Sequence, residues 1–419
     1  MPFHPFRRAV VLVGAVSAAL LVGVGPADAT PAAPAAAATK YPVPSADPFY
    51  AAPANLASLA DGAIIRSRPI DAKISFIGID VPLTAWQVAY RTRDAHRVPI
   101  TNVTTVVVPK ATYTGAARQR PLVSYQAAED STGSQCAPSY SLRTGSNLLT
   151  GQEQSIMALG LQRGFVLAIP DHEGPDSAFM AGPQSAHVVL DGIRAALQFT
   201  PAGLNRRTPV GLWGYSGGGH ATAWAAEQQR TYAPELTVAG VAFGGAPPNM
   251  VTTVKLLDGQ AFASFMFGAI VGIRNAYPEW NVDRYLTAQG HADLARATNA
   301  CIADFGLALA FHSLRAATTV PNALELPDTI RVVDTVDLGQ ATPVAPVFDY
   351  FSRIDQAIPT ADSTALIARY CAAGAKVVGH SEASAEHVVL AFRGAPLALD
   401  FLAARFDGRP LTGTCTGRY

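Results

Sequence analysis

One serine of this chain stands in a setting where it could act as a nucleophile. An apolar run at 209–213 precedes it and a helix-forming stretch begins at Ala221. Between them the chain carries Gly214, Tyr215, Ser216, Gly217 and Gly218. This G-x-S-x-G pattern is typical of a nucleophile elbow, where glycines leave room for a sharp, strained strand-to-helix turn. The turn would place Ser216 at a helix N-terminus, which favours developing negative charge.

The alternative interpretation is a glycine-rich turn with an idle serine. It is disfavoured because a strand is predicted before the motif and a helix after it. We therefore predict that Ser216 is a catalytic nucleophile, which requires a base and an acid that orients the base. In chains with such an elbow these partners follow the serine in the order acid, then histidine.

The acid should lie in a loop that follows a late strand. Asp355 fits, because it comes four residues after the apolar run 346–351 and just before a predicted helix start. Asp349 lies within that run, and Asp362 is better explained as a charge in the first turn of the next helix. Asp355 is therefore the predicted orienting acid.

The base should lie in the loop after the final strand, where two histidines are candidates. His387 ends a polar loop directly before the last helix, whereas His380 adjoins the strand end. We favour His387, since such a loop can bring an imidazole ring back over the sheet. Three upstream histidines break the expected order and are interpreted as ordinary core or surface residues: His220, His291 and His312.

An acyl-transfer site also needs backbone N–H groups directed at the forming oxyanion. One is expected from Gly217, the residue after the nucleophile, and another from the loop 126–133, which follows a predicted strand at 121–125. The pattern alone does not select the residue within that loop. An ionised carboxylate there would oppose an oxyanion, so an acid must point away or be protonated and donate a hydrogen bond.

Composition excludes several other functions. The 419 residues include 31 Lys+Arg and 31 Asp+Glu, so no basic field is available to attract nucleic acid. The four cysteines, in a chain expected to be exported, suggest two disulfides with three alternative pairings. Their spacing matches no zinc pattern, so we expect no metal site, and the predicted chemistry needs no cofactor.

The N-terminus has the features of an export signal. Arg7 and Arg8 precede the apolar run 9–24, which is short for a membrane span, and Ala27-Asp28-Ala29 is a small-residue cleavage site. We predict a signal peptide at 1–29, without a choice between the general and twin-arginine export routes. The Ala/Pro-rich segment 30–53 is expected to be a flexible or wrapping arm rather than packed structure.

The remaining chain predicts an α/β fold. Strands alternate with helices, which indicates a mostly parallel central sheet covered by helices on both faces, with an antiparallel pair near its start. We assign 54–246 and 344–419 to the core and 247–343 to an inserted helical cap. Within this cap we predict helices at 251–257, 261–273, 282–290 and 292–314.

The cap helix at 261–273 is apolar on nearly every face but too short to span a bilayer. A buried core helix and a cap surface that contacts a lipid–water interface both require such a helix, and the sequence does not choose between them. A monomer is favoured, although no feature of the sequence determines the oligomeric state.

Several motifs together resemble the secretory lipases of the Candida antarctica lipase A type, within the α/β-hydrolase superfamily. The similarity extends from about Asp47 to Arg418. Its motifs are the segments 124–131, 136–140 and 170–175, the elbow, Asp355 with the following Ile-Pro, Glu386-His387, and 405–408.

This resemblance implies a triad of Ser216, Asp355 and His387, with an oxyanion hole at Asp130 and Gly217. It also implies disulfides Cys136–Cys301 and Cys371–Cys415, and a helical cap inserted after the elbow region. Family members vary most in the cap, and the cap motifs of this chain match no pattern that would give the acyl-chain length.

The sequence therefore predicts a secreted serine carboxylester hydrolase, a triacylglycerol lipase that acts through an acyl-enzyme. Its partner would be a lipid or other ester substrate. Three alternatives remain: a short-chain esterase, an acyltransferase or peptidase with the same triad, and a non-catalytic surface-binding protein on the same scaffold.

Overall fold

The strands of the protein arise from runs of β-branched and aromatic residues. The computed structural model describes residues 41–117, 119–145 and 148–416, with only the backbone for 148–152. Strands in these residues are β1 (Ile64–Ile70), β2 (Ser75–Phe76), β3 (Ile79–Asp80), β4 (Leu83–Arg93), β5 (Pro99–Pro109), β6 (Leu122–Gln126), β7 (Val166–Pro170), β8 (Val210–Tyr215), β9 (Val238–Gly244), β10 (Val347–Ser352) and β11 (Val377–Glu382).

Nine of these strands form one sheet in the order β1-β4-β5-β7-β6-β8-β9-β10-β11. The first three pair antiparallel with one another and onto β7, and every pairing from β7 to β11 is parallel. The predicted mostly parallel sheet with an antiparallel start is thus confirmed. Because the parallel strands share one direction, the loops at their carboxyl ends meet along one edge of the sheet.

Helices occupy most of the remaining chain. In the described residues they are α1 (Pro138–Thr144), α2 (Leu148–Gln162), α3 (Gly182–Gln198), α4 (Gly217–Tyr232), α5 (Met250–Leu257), α6 (Ala263–Ala276), α7 (Ala288–Ala297), α8 (Ile302–Phe305), α9 (Leu314–Ala317), α10 (Pro327–Val336), α11 (Thr360–Ala372) and α12 (His387–Phe406).

Both faces of the sheet are covered, as the sequence predicts. Apolar residues of α3, α4 and α11 pack on one face, and those of α2 and α12 on the other. The central strand β8 is buried throughout, which explains why its sequence is continuously apolar rather than alternating. Helix α12 is long and apolar enough to cross a membrane by length and composition alone, yet its buried residues belong to this core.

The segment between β9 and β10 is helical and has its own apolar cluster, which also includes Phe179 and Ile358. Most of α6 is buried, as the core-helix interpretation predicts. The single helix predicted at 292–314 is wrong, because α7 ends at Ala297 and only the short α8 and α9 follow. Asn299 and Phe311 have φ of 52° and 65°, and such left-handed residues interrupt a helix.

The N-terminal arm is more ordered than its composition predicts. Short 3-10 helices form at Pro44–Ala46 and Pro48–Tyr50, and Phe49 is buried. The buried Asp47 carboxylate lies 2.8 Å from Arg68 Nη2 and 3.2 Å from Arg143 Nη1. The prediction of an arm without packed structure is therefore wrong for its described part, while the predicted signal peptide lies outside the described residues.

Two disulfides link distant parts of the chain. Cys136 pairs with Cys301 and Cys371 with Cys415, which is the pairing that the family resemblance implies. The first joins the loop after β6 to the helical segment, and the second joins α11 to the C-terminal residues. The described residues belong to one compact unit.

Candidate active site

Ser216 is the single residue that connects β8, which ends at Tyr215, to α4, which begins at Gly217. Its φ of 55° and ψ of −124° lie in a sparsely populated backbone region, where strain is retained only if the surroundings enforce it. A Cβ on Gly214 would come within 2.3 Å of the Gly218 carbonyl oxygen, and one on Gly218 within 2.0 Å of the Gln126 carbonyl oxygen. Steric exclusion therefore explains both outer glycines of the motif.

Hydrogen bonds fix the elbow from both sides. The Ser216 N–H donates to the Gly244 carbonyl at 2.9 Å, which connects the turn to the end of β9. The His220 N–H donates to the Ser216 carbonyl at 2.9 Å and begins the helical ladder of α4. The serine side chain is thus directed by a rigid backbone rather than by a mobile loop.

His387 is the first residue of α12, and its Nε2 lies 2.9 Å from Ser216 Oγ. The Tyr215 hydroxyl donates to the His387 carbonyl at 2.6 Å, so the residue beside the serine also positions the histidine. Glu386 caps α12 by accepting from the N–H groups of Val388 and Val389, each at 2.9 Å. These contacts hold the imidazole above the elbow.

Asp355 lies in the loop after β10, and its Oδ2 is 2.9 Å from His387 Nδ1. Its other oxygen, Oδ1, accepts from the N–H groups of Ala357 at 2.8 Å and Ile358 at 2.9 Å. This arrangement suits an Nδ1–H that donates to Asp355, which leaves Nε2 free to accept the proton of Ser216.

The alternative acids and bases lie elsewhere. His380 lies within β11, where its backbone is opposite Tyr350 of β10. His220 is buried, with Nε2 2.9 Å from the Val336 carbonyl oxygen, and His312 Nδ1 lies 3.0 Å from Asp293. Asp349 is buried within β10, as its place in the apolar run predicts. The structure thus brings Ser216, His387 and Asp355 together.

Asp130 and Gly217 lie side by side next to the serine. A Cβ on Gly217 would come within 2.0 Å of Asp130 Oδ1, so only glycine leaves space for this carboxyl group. Asp130 has a φ of 45°, a conformation that Asp tolerates better than most residues. Both residues line a cavity together with Ser216 and His387.

Five buried carboxyl groups lie in or near the loop 126–133, which contains Asp130. The sequence does not predict their burial. Burial raises the pKa of Asp130 and Asp171 to about 7 and that of Glu153 to about 8. Burial and neighbouring carboxyl groups also raise the pKa of Glu129 and Glu173. The only sequence signal is that four of these acids lie within the motifs 124–131 and 170–175; Glu153 lies outside both.

The cavity next to Ser216 is otherwise apolar. Its lining is largely aliphatic, thioether and aromatic: Phe179, Met180, Met250, Val254, Phe265, Met266, Ala269 and Ile358. Met250, Val254, Met266 and Ala269 also line a second, almost wholly apolar cavity that is bounded by α5, α6, α7 and α10. The apolar composition of α6 was the sequence signal for this wall.

No described cluster of three or more His, Cys, Asp or Glu side chains is arranged to hold a metal ion. The chemistry available at the site is that of the hydroxyl, imidazole and carboxyl groups. A hydroxyl paired to an oriented imidazole beside helix N–H groups can form and break acyl esters.

Comparisons with known proteins identify lipases as relatives of this chain. The family model described as secretory lipase matches residues 142–414. The chain is 36% identical to the probable inactive lipase MT1628 of Mycobacterium tuberculosis, over 88% of this chain and 84% of that protein. It is 31% identical to the secreted triacylglycerol lipase LIP1 of Malassezia furfur, over 88% of this chain and 77% of that protein. A closed-state structure of Candida antarctica lipase A superposes with a TM-score of 0.81 at 29% identity, over 90% and 89% of the two chains.

Proposed function

The chain belongs to the secretory lipase family and is an ester hydrolase of the α/β-hydrolase fold, and we propose that it is a secreted triacylglycerol lipase. We further propose that Ser216, His387 and Asp355 are its catalytic residues. The observation that carries the proposal is the unbroken chain of contacts from Ser216 Oγ to His387 Nε2 and from His387 Nδ1 to Asp355, each 2.9 Å long.

In this mechanism His387 accepts the Ser216 proton while Ser216 Oγ attacks the ester carbonyl carbon. The imidazolium then gives the proton to the alkoxide of the leaving glyceride as the carbon–oxygen bond breaks, which leaves an acyl-enzyme. A water molecule, deprotonated by His387, then attacks the acyl carbonyl carbon. The bond from that carbon to Ser216 Oγ breaks as the imidazolium returns the proton to Oγ, which releases the fatty acid and restores the serine hydroxyl. The Asp355 side chain orients the ring and stabilises the imidazolium in both steps.

The tetrahedral intermediates carry a negative oxygen, and backbone N–H groups of Gly217 and Asp130 would hold it. Gly217 is the first residue of α4, where free N–H groups and the helix dipole both favour negative charge. Such donors act strongly in a site with little water, because they are already oriented before the charge develops.

The two apolar cavities support a long-chain acyl substrate. Both cavities are lined largely by apolar side chains, and they share four lining residues. An acyl chain that extends from Ser216 into these cavities would contact apolar side chains, which favours its transfer from water. The relative from Malassezia furfur is named a secreted triacylglycerol lipase, which agrees with this substrate class.

We also propose that residues 247–343 act as a cap that covers the site and contacts a lipid–water interface. Phe265 and Met266 of α6 form part of the wall of the cavity that contains Ser216, so displacement of α6 would widen access to the serine. Residues 1–29 would be the export signal, in keeping with the secretory family and its secreted relatives.

One relative is named a probable inactive lipase, so a non-catalytic scaffold is the second candidate. Against this candidate, the nucleophile, the base and the acid are all present. Ser216 lies within hydrogen-bonding distance of His387, and His387 within that of Asp355. The two candidates differ in whether Ser216 reacts with an activated phosphonate.

The test is Ser216→Ala in the mature protein, assayed on tributyrin and triolein emulsions. We expect a loss of hydrolysis of at least about 10⁴-fold, because the nucleophile is absent, with an unchanged circular dichroism spectrum. Ser67→Ala, on the exposed side of β1, is the matched control and should keep full activity. A fluorophosphonate should label wild type and the control but not the Ser216 variant. Retained hydrolysis in Ser216→Ala would overturn the proposal.

A further inference from the structure

The side chain of Asp130, not only its backbone, faces the proposed oxyanion hole. The residue is 4% exposed and lines the site cavity with Ser216, Gly217 and His387. Its Oδ1 is buried and, among the described residues, has no hydrogen-bond partner. It lies against the Cα of Gly217, where a Cβ would come within 2.0 Å. A buried polar atom without a partner normally has a structural or catalytic reason.

No cation neutralises this group in the resting site. None of the ion pairs of the described chain includes Asp130. Four other acidic groups lie in or near its loop: Glu129 beside it in the loop, Glu153 on α2, and Asp171 and Glu173 after β7.

The two histidines near the loop do not supply a lasting positive charge. Burial lowers the pKa of His172 to about 4, so this ring is neutral at the pH of catalysis. His387 lowers the pKa of Asp130. In the proposed mechanism the imidazolium forms together with the oxyanion. The imidazolium and the oxyanion act in opposite directions on the pKa of Asp130, because their charges are opposite.

We propose that Asp130 works as a neutral carboxylic acid and that its O–H donates a hydrogen bond to the substrate oxyanion. This would be a third donor beside the two backbone N–H groups, and it rests on the proposed acyl-enzyme function. The proton stays on Asp130 throughout, so no bond is made or broken there. The bond strengthens as negative charge develops, which stabilises the transition state more than the ground state.

The ionised form would have the opposite effect. A carboxylate against Gly217 would repel the oxyanion and would also lack the donor, so both consequences slow the reaction. Burial raises the pKa of Asp130 to about 7. The active neutral form therefore predominates below that pH, and kcat should fall as pH rises through about 7.

The test compares kcat against pH from 5 to 9 on p-nitrophenyl butyrate for wild type, Asp130→Asn and Asp130→Ser. Loss of one oxyanion donor costs about 10²- to 10³-fold in kcat. With a pKa of about 7, about one hundredth of Asp130 is still neutral at pH 9, so we expect wild-type kcat to fall by up to about 100-fold from its maximum to that pH. Asp130→Asn, whose amide donates at every pH, should keep kcat within about tenfold of wild type at pH 6 and show no such fall. If Asp130→Asn does not fold, Asp130→Ser takes its place, and we expect the same kcat at pH 6 and the same absence of a fall.

Glu153→Gln is the matched control, since it replaces a buried carboxyl group that does not line the site cavity, and it should keep the wild-type fall. Thermal unfolding at pH 9 and recovery of the rate after return to pH 6 separate titration from denaturation. The inference is overturned if the fall persists in the neutral variants, if wild type shows no fall, or if the folded variants lose more than about 100-fold at pH 6. Absence of wild-type hydrolysis at pH 6 would contradict the proposed function itself.

Discussion

At the scale of the residue, the site depends on space that glycine leaves empty. Ser216 holds a φ of 55°, and the residues around it approach one another too closely for any Cβ. At Gly217 the neighbour is the Asp130 carboxyl, so this glycine links the elbow to the proposed oxyanion hole. Addition of a single methyl group at Gly217 should therefore lower kcat more than it lowers the stability of the fold.

We therefore expect Gly217→Ala to lower kcat by at least about 10²-fold on p-nitrophenyl butyrate. The new methyl would meet Asp130 Oδ1 at 2.0 Å, so either the carboxyl or the elbow must move away from the oxyanion. Gly160→Ala in α2 is the control, because the nearest atom to its Cβ would be 3.4 Å away and alanine favours a helix. A Gly217→Ala variant with wild-type kcat would contradict this account of the oxyanion hole.

At the scale of the element, the loop after β6 is fastened to the helical segment above it. The Thr132 N–H donates to the Ala300 carbonyl at 3.0 Å, and the Ile302 N–H donates to Ser131 Oγ at 3.1 Å. The disulfide between Cys136 and Cys301 joins the same two segments covalently. Any opening of the proposed cap must therefore leave residues 300–302 in place and move other helices.

Removal of each disulfide should separate activity from stability. Both double alanine variants should lose roughly 2–5 kcal/mol of unfolding free energy, the larger loss falling on Cys136–Cys301, which closes 165 residues against 44 for Cys371–Cys415. Only the Cys136/Cys301 variant should also lose kcat, because it loosens the loop that holds Asp130. Urea unfolding and kcat at a temperature where both variants are folded provide the measurement. An equal loss of kcat in both variants would show that the Cys136–Cys301 disulfide has no specific role in positioning the loop that contains Asp130.

At the scale of the whole molecule, buried ionisable groups determine how stability depends on pH. Burial raises the pKa of Asp130 and Asp171 to about 7 and that of Glu153 to about 8, and it also raises those of Glu129 and Glu173. Their unfolded values are near 3.8 for Asp and 4.5 for Glu. Above about pH 4.5 the folded state therefore binds more protons than the unfolded chain, and stability falls as pH rises.

Three buried histidines act in the opposite direction over a narrower range. Burial lowers the pKa of His172, His187 and His220 to about 4 from 6.5, so they favour the folded state increasingly as pH rises from 4 to 6.5. Above 6.5 this contribution is complete and only the carboxyl groups still change. The lowered pKa values of surface carboxylates such as Glu382 matter only below about pH 4.5.

We thus predict that the midpoint of thermal unfolding falls as pH rises from about 5 to 8, with the steepest decline between 6.5 and 8. Scanning calorimetry at a fixed scan rate measures it. Glu153→Gln should flatten the decline, since it removes one of the protons taken up by the folded state. A midpoint that rises steadily over this range would show that these carboxyl groups are ionised in the folded protein.

Local patterns determine several features of this protein in the sequence itself. The elbow follows from steric exclusion between neighbours, so glycines at 214 and 218 indicate it without any knowledge of the fold. The parallel strands are visible as continuous apolar runs because both of their faces are buried. The confirmed family and fold rest on such signals, whereas the broken helix after Ala297 and the packed arm around Asp47 do not follow from local propensity.

Only the tertiary structure decides the distances and the protonation states. Residues 216, 355 and 387 are far apart in the chain, and the meeting of loops at one edge of a parallel sheet brings their side chains to 2.9 Å. The acids near Asp130 appear in the sequence as ordinary charged residues. Their pKa values rise because packing removes them from water, and desolvation depends on what surrounds a group in space rather than on its neighbours in the chain.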